Sequence, residues 1–456
     1  MSIFIVAIFF IALLLIATER ITGINKAAVA VFAATVSWLL YVSWGSDFVL
    51  AMHADELARF LGSEQLSSSN VKEFIAGSDI ILRYTFEAAS VVLFLLCTTS
   101  IVEVLDNNGC LDFLSEALYT KYPRRFLWGV AAITFTLSAN LDNLTTICLM
   151  LAIMHKLVAE EKLRWTFGAI IVVAANCGGA FTVIGDTTSL ALWTKELVTP
   201  TTYSATLILP CLAALGTILA LTHPALPHTM KLVRTLPPYR GDDTILNRWQ
   251  RALMLFVGIG GLWFIPTFHR ITHLPPFLGA LCVLSVLWIV DELCNRKLLR
   301  SDKMIRRREP QALQYQNVQN MLFFIGMTFA VGAVNESGIL PRFSIWATQH
   351  LQDIHLIGLL SGILAAIFNN LTIMLTDIAA FSAHTEQQQY AADGIFWPWI
   401  SYCTAMGGSL LIAGTLGGFA FWKMEEVPLK WYLRKFFPKA LAAFVVGAIV
   451  FWIVRF

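Results

Sequence analysis

The residues able to do chemistry in this chain gather in two short polar motifs set inside apolar stretches. One is Ser138-Ala139-Asn140-Leu141-Asp142-Asn143-Leu144-Thr145-Thr146; the other is Asn176-Cys177-Gly178-Gly179-Ala180-Phe181-Thr182-Val183-Ile184-Gly185-Asp186-Thr187-Thr188. A carboxylate among amides and hydroxyls in hydrocarbon is costly and points to a functional site. Hard monovalent cations such as Na+ or Li+ want several oxygen ligands and one or two negative charges, by the logic that governs Ca2+ and Mg2+. Thiol and imidazole ligands for a softer metal do not flank either carboxylate in this way. Asp142 leads the first set, with Asn140, Asn143, Thr145 and Thr146 beside it. In the second set Asn176, Thr182, Asp186, Thr187, Thr188 and Ser189 supply oxygens. Gly178, Gly179 and Gly185 let that helix unwind and offer backbone carbonyls to a cavity. Na+ is therefore expected at Asp142, Asn143 and Asp186. Burial favours a protonated carboxyl and a neighbouring cation favours the ionised one, so a site that takes a proton or a cation, but not both, exchanges them. The plainer reading of the second motif is a kinked packing helix with a hydrogen-bonded Asp; the recurrence of its Gly-Gly later in the chain argues against it.

Those motifs need membrane-spanning elements to position them. The chain is 57% hydrophobic and 14% charged, where soluble domains carry about a quarter charged residues. Apolar stretches of spanning length lie at roughly 2–17, 27–45, 83–105, 167–195, 203–222, 250–266, 277–294, 319–336, 394–422 and 436–454. Two more, 126–157 and 355–382, are each split by an Asp-Asn or Asn-Asn motif, and read as re-entrant hairpins with the polar motif at the tip. The predicted fold is an all-α polytopic membrane protein of about ten full spans plus two re-entrant hairpins, with inverted structural repeats and two unwound helices. Ser2 to Ala17 lacks a basic n-region and a small-residue cleavage site, and reads as the first span rather than a cleaved signal. The eight cysteines are scattered through apolar runs and read as packing residues.

Charge sets the expected orientation. Arg296, Lys297, Arg300, Lys303, Arg306, Arg307 and Arg308 form a basic segment that belongs in the cytoplasm, as does the loop with Lys231, Arg234, Arg240, Arg248 and Arg251. Counting spans then puts Lys121, Arg124 and Arg125, and also Lys423, Lys430, Arg434 and Lys435, on the same side. The loop 46–80, with Asp47, Asp55, Glu56, Glu64, Glu73 and Asp79, falls outside, as do both termini. The first hairpin then enters from the cytoplasm and the second from outside, so the halves are inverted. A bacterial inner (cytoplasmic) membrane is the expected location.

The repeat is also visible in the residues. Asn108-Gly109-Cys110-Leu111 recurs as Ser337-Gly338-Ile339-Leu340, 229 positions on. Asp142-Asn143-Leu144-Thr145 recurs as Asn369-Asn370-Leu371-Thr372, 227 on, and Gly178-Gly179 as Gly407-Gly408, 229 on. This divides the chain into 1–80 (first spans and external loop), 81–222 (repeat one), 223–318 (linking loops and spans) and 319–456 (repeat two). The stretches 109–122 and 338–350 read as interfacial amphipathic helices. Glu87, in Thr85-Phe86-Glu87-Ala88, reads equally as an interfacial acid and as a functional one; Glu103 and Asp106 read as surface charge. The nine histidines lie in loops or near span ends and make no metal-ligand pattern.

The paired motifs strongly resemble those of the NhaD-type sodium/proton antiporters of the ion transporter superfamily. The resemblance rests on Ser-Ala-x-x-Asp-Asn-Leu-Thr-Thr followed by Ala-Asn-x-Gly-Gly-Ala-x-x-x-x-Gly-Asp-x-Thr, with Gly407-Gly408-Ser409 and Trp431-Tyr432-Leu433 in the second half. It implies a homodimer of inverted repeats in the lipid bilayer, exchanging cytoplasmic Na+ or Li+ for external protons in pH homeostasis. No cofactor other than those ions, and no nucleic acid, is implied. The family's functional positions fall on Glu87, Asp142, Asn176, Asp186, Thr188 and Ser189, and in repeat two on Asn370 and the Ser409 to Thr415 region. One departure stands out: the family usually has Asp-Asn at the second tip, where this chain has Asn369-Asn370. Asp377, two helical turns or about 10 Å further on, offers a carboxylate on the same face. The alternative is a sodium-coupled anion transporter of the same superfamily, dicarboxylate- or arsenite-like, though Asp142 and Asp186 would repel a carboxylate. A membrane enzyme lacks a Ser/His, His-Glu-x-x-His or paired-Asp protease motif, and a channel lacks a filter motif.

Overall fold

The computed structural model describes residues 2–62, 65–77, 79–232, 246–295, 311–351, 353–382, 384 and 386–455. Arg234, Arg240, the basic residues from Arg296 to Arg308, Glu64 and the side chain of Asp79 lie outside the described residues. Within them the chain is helical, and the β pairing found is an isolated bridge between Val158 and Leu232.

Eight helical stretches among the described residues are long and apolar enough to cross a membrane, Lys26–Trp44, Glu161–Ala180 and Pro276–Cys294 among them. Two of the ten expected spans fall outside that set for a local reason. Ser2–Ala17 has 16 residues, and the stretch 394–422 is divided into Phe396–Gly408 and Leu416–Met424. Large apolar side chains face outward on the flanking helices, among them Phe4, Phe32, Trp263, Trp288 and Trp452, as a hydrocarbon solvent requires.

Two helix pairs and two split helices form the centre. The first pair is Pro123–Ser138 with Asn143–Leu157; the second is Ile354–Phe368 with Asn370–Phe381. The first split helix is Glu161–Ala180 with Thr187–Thr194, the second the divided stretch just described. Pro123–Ser138 packs along Glu161–Ala180, and Ile354–Phe368 packs along Phe396–Gly408 in the same way. Each pair's second arm also crosses to the other half: Asn143–Leu157 onto Leu416–Met424, and Asn370–Phe381 onto Thr187–Thr194. The helix before each half behaves alike, Lys26–Trp44 packing on Gln311–Glu336 and Pro276–Cys294 on Asp79–Asn107.

Glycine makes these approaches possible, and the contacts correspond between halves. A Cβ at Gly178 would strike the backbone of Phe135; one at Gly407 would strike the backbone of Gly362, and Phe135 and Gly362 are 227 positions apart. A Cβ at Gly179 would meet Asn143 and Gly185, and one at Gly408 would meet Asn370 and Gly414.

The ends of the split helices are tied across the halves. Glu425, after the second, accepts from Arg164 Nε at 2.8 Å, and Trp165 Nε1 donates to its backbone carbonyl at 3.1 Å. Reciprocally, Asp393, before the second, accepts from the backbone N–H of Thr199, after the first, at 2.6 Å.

Candidate functional site

Four helices restart in the interior, and each restart is capped by a side-chain oxygen. Asp142 Oδ2 accepts from the Thr145 backbone N–H at 3.2 Å and from Thr145 Oγ1 at 3.4 Å. Asp186 forms a capping box with Ser189, whose Oγ accepts from the Asp186 N–H at 3.3 Å, while Thr188 Oγ1 donates to Asp186 Oδ2 at 2.9 Å. Asn369 Oδ1 accepts from the Leu371 N–H at 3.0 Å, and Thr415 Oγ1 from the Gly418 N–H at 2.9 Å. Capping oxygens satisfy N–H groups that a helix start leaves without an intrahelical partner, which matters most where water is scarce. Asn369 holds a left-handed φ of 79°, a region in which Asn is one of the tolerated side chains.

A chain of amides and hydroxyls joins the halves. Ser138 Oγ lies 2.6 Å from Asn143 Oδ1 and 2.8 Å from the Ala175 carbonyl. Asn143 Nδ2 donates to Asn176 Oδ1 at 3.3 Å, and Asn176 Nδ2 to Ser409 Oγ at 2.8 Å. Tyr432 OH donates to the Ser409 carbonyl at 2.8 Å, and the Asn370 N–H to the Gly414 carbonyl at 2.9 Å.

A cleft lies where these restarts meet. Asp142, Thr187, Leu371 and Leu416, one residue from each restart region, line it together with Thr99 and Asn320 from the long spans. Asp186 is 6% exposed and sits within electrostatic reach of Asp142. Oxygens near the two tips have no hydrogen-bond partner among the described residues: Asn140 Oδ1 and Thr146 Oγ1 beside Asp142, and Thr372 Oγ1 beside Asn369. The site therefore offers two carboxylates and spare neutral oxygens, a donor set that suits a hard cation. Among the described residues no group of three His, Cys, Asp or Glu side chains suits a tightly held metal.

Of the residues singled out in the sequence, Asp142, Asn143, Thr145, Asn176 and Ser409 form or adjoin one hydrogen-bonded cluster. Asp186, Thr188 and Ser189 form the second restart, and Asn369, Asn370 and Thr415 the counterpart restarts. Glu87 stands apart, with Lys195 Nζ donating to its Oε1 at 2.8 Å between Asp79–Asn107 and the end of the first split helix. Three contributors escaped the sequence reading. Thr99 and Asn320 line the cleft from the first long span of each repeat, and Ser138, within the quoted motif, links the first tip to the first split helix. Asn317 and Asn320, both at the cleft and three apart on one helical face, were the available signal.

Comparison with known proteins agrees with this architecture. A model of the citrate transporter family (CitMHS) matches residues 5–407. Sodium/proton antiporter 1 of Arabidopsis thaliana is 33% identical over 368 residues, covering 80% of this chain and 61% of that protein, so the chain spans under two thirds of that relative's length. Sodium/proton antiporter 2 of the same plant is 32% identical, covering 80% of this chain and 86% of that protein. The Na(+)/H(+) antiporter NhaD of Vibrio cholerae is 26% identical, covering 73% and 71%. With the family model spanning most of its length and these relatives beside it, the chain belongs to the NhaD-type transporters within the citrate transporter family.

Proposed function

We propose that this protein is a secondary active transporter that exchanges Na+ or Li+ from the cytoplasm for external protons by alternating access. The carrying observation is the presence of two carboxylates, Asp142 and Asp186, at interior helix restarts beside a cleft, where capping alone needs no charge. The names of the plant and Vibrio relatives support sodium and protons as the exchanged ions.

Na+ competes with protons for Asp142 and Asp186, with Asn143 as a further oxygen ligand; Thr145 holds the first carboxylate and Thr188 the second, and Asn176 positions Asn143. The two helix pairs act as re-entrant hairpins in inverted repeats, a reading supported by the corresponding glycine contacts of the two halves. The cleft reaches Asn317, near the start of Gln311–Glu336, the end of that span expected in the cytoplasm, which supports an inward-facing state. The Glu87–Lys195 pair then closes the opposite side. A homodimer in a bacterial inner membrane, with both termini outside, completes the proposal.

The test is cation-driven proton flux in proteoliposomes, read with a pH-sensitive dye. Dequenching on Na+ or Li+ addition, lost in Asp142→Asn, supports exchange. Absence of flux at every pH tested sinks it. One observation favours a second reading: four helix N-termini converge on the cleft, and such termini attract anions. Uptake of a labelled dicarboxylate driven by Na+, with no proton counterflux, would select that reading.

A further inference from the structure

Asp377 belongs to none of the four restarts. It stands in the second arm of the second helix pair, 7% exposed. Ser361 Oγ, on the first arm, donates to its Oδ1 at 3.2 Å, and its Oδ2 has no hydrogen-bond partner among the described residues. The equivalent position of the first pair, 227 residues earlier, is Met150, also buried, so packing at this place does not require an acid.

The surroundings hold little that could compensate a charge. Phe396–Gly408 presents Cys403, which interacts electrostatically with Asp377, and also carries Tyr402, whose OH donates to the Phe444 carbonyl. Thr187–Thr194 has no ionisable side chain. Ile354–Phe368 has His355 at its start, edge-on to Trp399. Ile339–His350 carries Arg342 and His350. Glu336, ending Gln311–Glu336, is committed to His53, Arg83 and Tyr84. No Lys, Arg or His among the described residues forms an ion pair with Asp377.

Charge and ligand number together decide what such a group can carry. A hard metal cation needs several oxygens. Here two carboxylate oxygens and one hydroxyl are available. A proton needs one carboxylate oxygen, and the neutral acid is far cheaper to bury than an uncompensated carboxylate. We propose that Asp377 is a proton-only site that never holds the metal cation and stands in for the carboxylate absent from Asn369. It binds its proton in the state seen here and releases it to water when the second pair becomes hydrated during the cycle. This rests on the exchanger reading above.

The test uses the reconstituted full-length protein. Dicyclohexylcarbodiimide, which attacks protonated carboxyls in apolar surroundings, is applied with and without saturating Na+, and the adduct is located by peptide mass spectrometry. The expected result is an adduct on Asp377 that Na+ does not diminish, alongside Na+-protected labelling of Asp142 or Asp186. Flux is then compared across pH for Asp377→Asn, Asp377→Met and Asp377→Glu. Asn and Met should shift the pH profile by about one unit, with half-saturating Na+ changed by less than about twofold, and Glu should restore the profile. Absence of an adduct, an adduct protected by Na+, or an unchanged profile in both Asn and Met variants would overturn the proposal. The adduct on the native chain decides even where the variants fail to fold. Loss of all cation-driven flux in the native protein would instead defeat the exchanger reading, and the two failures are thereby distinct.

Discussion

Asp142 and Asp186 in the first half, and Asn369 and Thr415 in the second, occupy corresponding helix restarts and cap them with comparable geometry. The halves differ in charge, not in capping. Asn caps a helix about as well as Asp, and Thr nearly so, because capping requires only an oxygen that accepts from a backbone N–H. The carboxylates of the first half thus exceed what capping requires, which is what the proposed cation exchange would use. The second half keeps the frame of the site and contributes neutral oxygens to it.

The largest effect that would break this comparison comes from Asp142→Asn. Thermal stability should stay within about 0.5 kcal/mol because the cap survives, while Na+-driven proton flux is lost. Flux titrations paired with unfolding scans in detergent check both. A variant that unfolds as readily as it loses transport would mean that the charge serves the fold after all.

The frame itself is probed by Gly178→Ala and Gly407→Ala. Each added Cβ meets backbone, of Phe135 or of Gly362, so each should cost about 1–3 kcal/mol, and the two should be similar. Tryptophan fluorescence melts would measure this, and a large inequality would show that the two halves are not packed alike.

Asn369→Asp sharpens the comparison from the other side by making the second tip resemble the first. Stability should change by less than about 0.5 kcal/mol, since the Asp side chain caps and tolerates the same φ. The voltage dependence of exchange should change, as read under imposed potassium diffusion potentials in proteoliposomes.

The smallest effect lies away from the breaks. His53 in the loop segment lies 2.7 Å from Glu336 Oε2 and 3.0 Å from Glu56 Oε2. The hydrogen bond to Glu336 is the largest cause that raises its pKa above the ordinary histidine value. The protonated form is therefore favoured in the folded state. Its stabilising contribution is complete below the ordinary histidine range and fades as pH rises through the raised value. Hydrogen exchange over residues 46–62 should accelerate modestly as pH rises through that window, beyond the intrinsic rate. The same measurement on His53→Gln should show no such excess.

Much of the frame was legible in the sequence. The helix breaks at 139–142, 181–186, 369 and 409–415 fall where polar and glycine residues interrupt apolar runs, and local chemistry is enough to stop a helix there. The count of long helices follows from the same features: 394–422 is divided at its glycine-rich break, and the first helix spans the 16 residues its apolar run covers. Asp142 and Asp186 were likewise readable, since a carboxylate in an apolar segment is conspicuous on its own. Contacts between distant segments could not be read in this way. Asn176 meets Ser409 across 233 residues, and Thr99 and Asn320 reach the cleft from spans in which neither residue stands in a motif. Glu87 read equally as an interfacial acid and as a functional one, and its ion pair with Lys195 at 2.8 Å was not visible before folding. Sequence determines where a helix can break and which charges are out of place, because those are local costs of burying polar groups. Which broken ends face one another, and which neutral oxygens join the carboxylates, is decided by helix packing, and only the tertiary structure supplies that.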